Sequence, residues 1–195
     1  LTGRVTAERP GLQQAAEAIA EFDSLFARAR FAREYDACMP VFTAETAIAL
    51  DTVRHPVLES GLRRQGRAIV PLTLAMGGPS TTLETSVETV LVISGPNTGG
   101  KTVALKTVGL AVLAAQSGIP VAAQSARLGI FDRVLADIGD EQSIAADLST
   151  FSAHVLNLKA MLGTLTERSL VLVDEMGTGT APEEGAALAV ALLDE

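Results

Sequence analysis

The residues most able to do chemistry form one run of eight, Gly95-Pro96-Asn97-Thr98-Gly99-Gly100-Lys101-Thr102. Its glycines let the backbone turn tightly and bring N–H groups against phosphate oxygens, because no Cβ stands in the way. Lys101 would supply a cation for the β- and γ-phosphates, and the Thr102 hydroxyl is a ligand type that suits Mg²⁺. The pattern predicts a P-loop that binds a nucleoside triphosphate. The alternative is a glycine-rich turn with an incidental lysine.

A second chemical element is Leu170-Val171-Leu172-Val173-Asp174-Glu175, in which four aliphatic residues precede two carboxylates. A P-loop needs an acidic residue at the end of a buried strand, where it holds Mg²⁺. Asp174 fits that place. Glu175 points differently off the strand and could polarise the attacking water as a general base. The alternative is a strand end that emerges into solvent with two acidic residues.

The elements that must position these residues are predicted on either side of the loop. Residues 89–94 are apolar and β-branched, which predicts a buried strand, and the apolar run 103–113 predicts a buried helix. The helix would begin near Gly100, so its dipole would add positive potential at the phosphates. Strand, loop and helix in this order are the context in which the motif is specific.

Other segments predict a first helix and several short strands. Residues 11–35 lack proline and repeat apolar side chains at alternating spacings of three and four, which is typical of a coiled-coil-like helix. Strands are predicted at 69–74, 119–121 and 134–138, with a turn at 129–132. The rest of 41–88 indicates short strands and turns.

Two polar positions have both a structural and a functional interpretation. His55, within Arg54-His55-Pro56, is either a satisfied loop residue or a ligand. Ser149 and Thr150 precede a helical pattern, and either is a natural N-cap. The same helix N-terminus could bind a phosphate, including the phosphate of a nucleotide on a second subunit. Residue chemistry alone does not separate these roles.

Composition and charge limit the class of protein. The chain has 195 residues, 48% of them hydrophobic, which is enough for one α/β core. The single cysteine, Cys38, is expected to be a small buried hydrophobe, and with no membrane span or signal pattern we predict a cytoplasmic protein without a membrane partner. A net charge of −8 argues against strong nucleic-acid binding here. The first and last residues, Leu1 and Glu195, are those expected of a piece of something longer.

Three features together resemble the ATPase domain of MutS proteins, which belong to the ABC-type ATPases. They are the Pro-Asn pair in the P-loop, Ser149-Thr150-Phe151 before a helix, and the Asp-Glu strand followed by a Gly/Thr loop at 177–182. Thr98 in place of the Met usual in the mismatch-recognising branch, together with the run at 137–144, is similar to the MutS-two branch. The implied fold is an α/β P-loop NTPase of ABC type, a mixed sheet flanked by helices. The resemblance implies that 1–39 end a helical lever or core region and that 40–195 are the ATPase domain, incomplete at its C-terminus.

The resemblance also implies roles for individual residues. Residues implied to bind ATP are Gly95, Pro96, Asn97, Thr98, Gly99, Gly100, Lys101, Thr102, Val103, His55 and Ser149. Lys101 and Glu175 would be catalytic, and Thr102 and Asp174 would hold Mg²⁺. Asn97 would contact the γ-phosphate region, His55 would lie near the adenine, and Ser149 would complete the site of a partner subunit. The family's switch histidine would follow Glu195.

The implied function is hydrolysis of ATP to ADP and phosphate by a homodimer. The dimer would couple nucleotide state to clamping of branched DNA, for suppression of homologous recombination, for rescue of stalled ribosomes, or for both. DNA and ribosome contacts, and any endonuclease activity, would lie outside this chain. The alternatives are a mismatch-repair MutS ATPase, a transporter ATPase, a small-molecule kinase and a nucleotide sensor without turnover. A transporter would normally carry Leu-Ser-Gly-Gly-Gln where Leu148-Ser149-Thr150-Phe151 stands, and a kinase would need an arginine-rich lid.

Overall fold

The computed structural model describes residues 2–77, 89–95, 99–139, 150–175 and 183, and these form a mixed α/β structure. In chain order the elements are α1 (Thr2–Glu34), β1 (Val41–Thr43), β2 (Ile48–Val53), α2 (Pro56–Arg64), β3 (Leu72–Met76), α3 (Lys101–Gln116), β4 (Ser125–Gly129), β5 (Arg133–Asp137), α4 (Thr150–Leu162) and β6 (Ser169–Val173). The predicted combination of helices with a mixed sheet is confirmed.

The strands form two sheets. The larger has the order β1-β4-β2-β3, in which β1 is parallel to β4 and β2 is antiparallel to both of its neighbours. The smaller is a parallel pair, β5 and β6, with Asp137 in register with Val173. Parallel strands need a crossover connection, and α4 lies in the chain between these two strands. The strand that ends at Asp174 is therefore held by β5.

One apolar cluster joins α3 to both sheets. Its buried members include Ile48, Leu50 and Val53 of β2, Val108, Ala111, Val112 and Ala115 of α3, Ala126 and Leu128 of β4, and Leu170 and Leu172 of β6. Helix α3 carries apolar residues on more than one side, so it can contact both sheets at once. The helix that follows the P-loop is thereby fixed against the strand that carries the acidic pair.

The first helix is longer than predicted and mostly exposed. It begins at Thr2 rather than near residue 11, and it continues through Pro10. A proline inside a helix removes one N–H donor, and its ring crowds the carbonyl four residues earlier, so Pro10 strains α1 without ending it. Phe22 and Leu25, two of the apolar residues that repeat at spacings of three and four, are 70% and 55% exposed. The C-terminal turns of α1 do contact the body, where Arg28 donates to the Gly118 carbonyl at 3.3 Å.

Several predicted strands differ from those observed. The strand predicted at 69–74 lies at Leu72–Met76, because Pro71 has no N–H to donate to a ladder. The strand predicted at 119–121 is only an isolated bridge between Cys38 and Val121. The strand predicted at 134–138 is confirmed as β5, and the turn at 129–132 lies between β4 and β5. The sequence did not single out β2, α2 or β4.

The buried strand predicted at residues 89–94 is wrong. These residues form no strand, and Val90 and Val92 are 50% and 69% exposed. A strand is stabilised by hydrogen bonds to a neighbouring strand, and no strand pairs with 89–94 in the described part of the chain. The apolar, β-branched composition of the run therefore did not suffice to bury it.

Candidate functional site

The site is organised by a contact between the start of α3 and the end of β6. Thr102 lies in the first turn of α3, and its hydroxyl donates a hydrogen bond to a carboxylate oxygen of Asp174. Asp174 is buried, with 9% of its surface exposed. Its N–H donates to the Asp137 carbonyl at 3.0 Å, which extends the ladder between β5 and β6 by one residue. The two residues predicted to share a Mg²⁺ ion thus lie together.

The described ends of the P-loop are joined by its lysine. The Lys101 ammonium donates to the Gly95 carbonyl at 2.6 Å. Gly95 and Gly100 have φ angles of 149° and 80°, a region that residues with a Cβ rarely adopt. The loop therefore needs glycine at both positions. Pro96, Asn97 and Thr98 lie outside the described residues.

Glu175 and Asp174 are adjacent but lie in different environments. Asp174 is buried, whereas Glu175 is exposed to solvent. Glu175 also has a φ of 50°, an uncommon value for a residue other than glycine. The left-handed backbone turns the chain at the end of β6, so the two successive carboxyl groups are presented differently. An exposed carboxylate beside a buried one suits the prediction that Asp174 serves the metal and Glu175 serves water.

His55 has a definite structural role. It is the N-cap of α2, and its Nδ1 accepts a hydrogen bond from the Leu58 N–H at 3.3 Å. Burial lowers the pKa of His55, and the positive charge of Lys106 on α3 lowers it further. The neutral ring is the form whose Nδ1 can accept the capping bond. The interaction with Lys106 indicates that His55 lies near the P-loop helix.

The remaining predicted positions are only partly described. Val103 follows Thr102 in α3 and is 37% exposed. Helix α4 is described from Thr150 onward. Ser149 itself, and the loop at 177–182, lie outside the described residues. Sequence reasoning missed Gly109, a glycine inside α3, although an isolated glycine in a helical run indicates close packing.

The donor set at the site fits Mg²⁺. This ion prefers oxygen ligands and usually keeps several waters, with one or two protein oxygens and substrate phosphates completing its shell. The Thr102 hydroxyl and the Asp174 carboxylate are such oxygens, and they meet at a partly buried point beside the predicted P-loop. Among the residues that the structure describes, no group of three or more His, Cys, Asp or Glu side chains could hold a metal by itself.

Comparison with known proteins identifies the family. Residues 91–195 match the family model described as MutS domain V. The chain belongs to the MutS family. It is 46% identical over its whole length to the endonuclease MutS2 of Geobacillus thermodenitrificans, of which it covers 23%. It is 47% identical over 92% of its length to that of Pelotomaculum thermopropionicum, covering 21% of that protein.

The predicted resemblance to the MutS-two branch is confirmed by these relatives. The endonuclease MutS2 of Bacillus cytotoxicus, 44% identical over the whole chain, is a further example. The chain spans only about a fifth to a quarter of the length of these MutS relatives. No helix in the described ranges has the length and apolarity to cross a membrane.

Proposed function

We propose that this MutS-family chain binds ATP with Mg²⁺ and hydrolyses it to ADP and phosphate. The observation that carries the proposal is the hydrogen bond between Thr102 and Asp174, which unites the P-loop helix with the acidic strand end. The two motifs are separated by a long stretch of chain, and a chance glycine-rich turn would have no reason to meet a buried carboxylate. The proposed fold is a P-loop NTPase of ABC type, and ATP is the nucleotide that its site would bind.

Each residue of the site has a distinct part in this proposal. The N–H groups of Gly99 and Gly100 would hold phosphate oxygens, and the Lys101 ammonium would leave the Gly95 carbonyl for the β- and γ-phosphates. Thr102 and Asp174 would hold Mg²⁺, which when bound neutralises charge on the phosphates. The other assigned contacts are those of Pro96, Asn97, Thr98 and Val103 with ATP, of His55 with the adenine side, and of Ser149 with the ATP of a partner.

Glu175 would act on water. Its exposed carboxylate can accept a proton from a water molecule as that water attacks the γ-phosphorus. The bond between the γ-phosphorus and the bridging oxygen then breaks, and ADP leaves with the bond's electron pair. Positioning and charge stabilisation supply most of the rate in such reactions. A general base next to a buried metal ligand separates the two tasks between neighbouring residues.

For the whole protein we propose a homodimer that couples nucleotide state to a clamp on branched DNA. The name of its relatives, endonuclease MutS2, supports an action on nucleic acid. Suppression of recombination and rescue of stalled ribosomes are both included, and DNA or ribosome contacts would lie outside this chain. Residues 1–39 would end the lever and 40–195 would form the ATPase domain. A mismatch-repair MutS ATPase is the alternative within the same family.

The test of this coupling is steady-state ATP turnover by the full-length protein, alone and with branched DNA, linear duplex or ribosomes. We expect stimulation by branched DNA or by ribosomes and less by the linear duplex. The Lys101→Ala variant is the control, and it should lose turnover under every condition. Stimulation by neither branched DNA nor ribosomes would contradict the coupling, and equal turnover by the wild type and Lys101→Ala would contradict the ATPase assignment.

A further inference from the structure

Helix α3 and strand β6 touch at two places on one interface. Gly109 lies two helical turns after Thr102, so the two residues share a face of α3. Leu172 lies two residues before Asp174, and alternate residues of a strand share a face. Leu172 and Asp174 are both buried, whereas Val171 between Leu170 and Leu172 is exposed. The Gly109–Leu172 contact and the Thr102–Asp174 hydrogen bond are therefore two points on the same helix–strand contact.

The approach at the first point leaves no room for a Cβ at Gly109 unless the Leu172 side chain or α3 moves. A Cβ added to Gly109 would lie 2.7 Å from Cδ1 of Leu172. The atoms would have to separate by about 0.7 Å to reach an ordinary van der Waals distance. Leu172 is 6% exposed and belongs to the core cluster, so its neighbours restrict its movement. We therefore expect a displacement at this contact to be shared between the Leu172 side chain and α3.

Local energetics favour another residue at position 109. Glycine is a poor helix former, and alanine is the best. Gly109 is nevertheless in the interior of α3, with a helical backbone that alanine would adopt equally well. The lack of a side chain at Gly109 is what allows Leu172 to approach α3 this closely. The hydrogen bond at the other point is sensitive to this spacing, because O–H···O bonds occupy a narrow range of distances.

We propose that Gly109 and Leu172 set the spacing of α3 over β6 at which the Thr102 hydroxyl meets the Asp174 carboxylate. Gly109 is then a positioning residue for the Mg²⁺ ligands, although it is remote from the nucleotide. This inference rests on the proposed Mg²⁺–ATP site. A side chain at 109 would raise α3 from β6 and separate the two oxygens. The phosphate-binding N–H groups of the loop would be affected much less.

The experiment measures the binding of a non-hydrolysable fluorescent ATP analogue to the full-length protein over a range of Mg²⁺ concentrations. For Gly109→Ala we expect the Mg²⁺ concentration at half-maximal effect to rise about threefold, and for Gly109→Val about tenfold or more, which is about 1.4 kcal/mol. Affinity without Mg²⁺ should stay within about twofold of wild type. Thermal unfolding of the metal-free protein provides the second readout.

Two controls separate spacing from general damage. Gly61 lies inside α2 and has no atom within 4 Å of an added Cβ, so Gly61→Ala should leave the Mg²⁺ dependence unchanged. Leu172→Val removes part of the opposing side chain, and in the Gly109→Ala background it should restore the Mg²⁺ dependence toward wild type. A purely structural effect at Gly109 would lower the unfolding temperature without this rescue.

The outcomes are distinct. Because alanine is the better helix former, Gly61→Ala should raise the unfolding temperature. A Gly109→Ala variant with the same rise and with wild-type Mg²⁺ dependence would overturn the inference while leaving the proposed function intact. So would a shift that Leu172→Val fails to reverse. If Gly109→Val does not fold, the alanine variant and its double mutant decide alone. A wild-type protein without Mg²⁺-dependent nucleotide binding would overturn the proposed function, and the inference with it.

Discussion

The Thr102 hydroxyl links the two halves of the proposed site, because it donates to the buried Asp174 carboxylate. Replacing it by the isosteric Thr102→Val should keep the shape of α3 and remove one Mg²⁺ ligand. We expect the affinity for ATP to fall about tenfold in the presence of Mg²⁺ and to change little in its absence. Titration of a fluorescent ATP analogue with and without Mg²⁺ measures both values.

Thr107 offers the matched control on the same helix. Its hydroxyl donates to the Val103 carbonyl at 2.6 Å within α3. Thr107→Val removes an equivalent group that has no part in the proposed site, so any loss should not depend on Mg²⁺. The assignment of Thr102 would be contradicted by equal effects of the two substitutions, or by a Thr102→Val variant whose binding keeps its full response to Mg²⁺.

His55 gives a prediction about pH. Burial lowers its pKa below 6.5, so in acid the unfolded chain binds more protons than the folded one. The contribution of His55 to stability is therefore complete above pH 6.5 and is lost as the pH falls toward and through its folded pKa. His55→Asn keeps an N-cap side chain that does not titrate. Unfolding temperatures measured from pH 5 to 7.5 should decline less steeply in acid for His55→Asn, and equal slopes would contradict this role.

At the scale of elements, a charged cluster joins α1 to the body. The buried Glu59 carboxylate accepts hydrogen bonds from Arg54 at 3.2 Å and from Arg63 at 2.6 Å. Arg54 also donates to the Tyr35 and Asp36 carbonyls, and Arg63 donates to the Glu34 carbonyl at 3.1 Å. The last carbonyls of a helix lack partners within it. The two guanidinium groups therefore hold the end of α1 against α2. A helix that acts as a lever needs such a rigid attachment to transmit movement.

The two arginines should contribute unequally to stability. The Arg54 side chain is 16% exposed, so removing it by Arg54→Met would leave the buried Glu59 charge poorly compensated, at a cost of about 3 kcal/mol. The Arg63 side chain is 49% exposed, and Arg63→Met should cost no more than about 1 kcal/mol. Denaturant unfolding measures both, and an equal cost would contradict the unequal burial as the cause.

Local patterns predicted some elements and not others for identifiable reasons. The strand before Asp174 and the helix after Gly100 follow from motifs in which a few neighbouring residues fix the geometry. Helix α2 was missed because its N-cap is a histidine, which is not among the preferred capping residues. The strand predicted at 89–94 depends on a partner strand, and nothing within a short run of residues specifies one.

The sequence predicted that Thr102 and Asp174, which are far apart in the chain, share a chemical role, but it did not predict their spacing. The motifs implied that Thr102 and Asp174 serve one metal ion, and the structure brings them into contact. Their spacing across α3 and β6 was not predictable, because it depends on Gly109 packing against Leu172, a contact between distant parts of the sequence. The sequence motifs therefore predict which residues would bind the metal, and we propose that the packing of α3 on β6 sets the distance between them.

In the whole molecule, the proposed nucleotide site would be one half of a composite site and would lie at the end of a long helix, α1. The proposed P-loop, metal ligands and general base all lie on one chain, while Ser149 is proposed to act across a dimer. Helix α1 leaves the body from the joint made by Glu59 and its arginines. If hydrolysis alters the dimer contact, α1 is the element through which the rest of the protein would sense it.

Single-turnover hydrolysis of ATP by the full-length Glu175→Gln variant, with ATP affinity measured in the same samples, tests whether Glu175 is the general base of an ATPase. Glutamine keeps the size of the side chain and removes its ability to take a proton. We predict a rate of hydrolysis at least about 100-fold below wild type, with ATP affinity in Mg²⁺ within about threefold. An unchanged rate, or a loss of rate fully explained by lost ATP binding, would contradict the account.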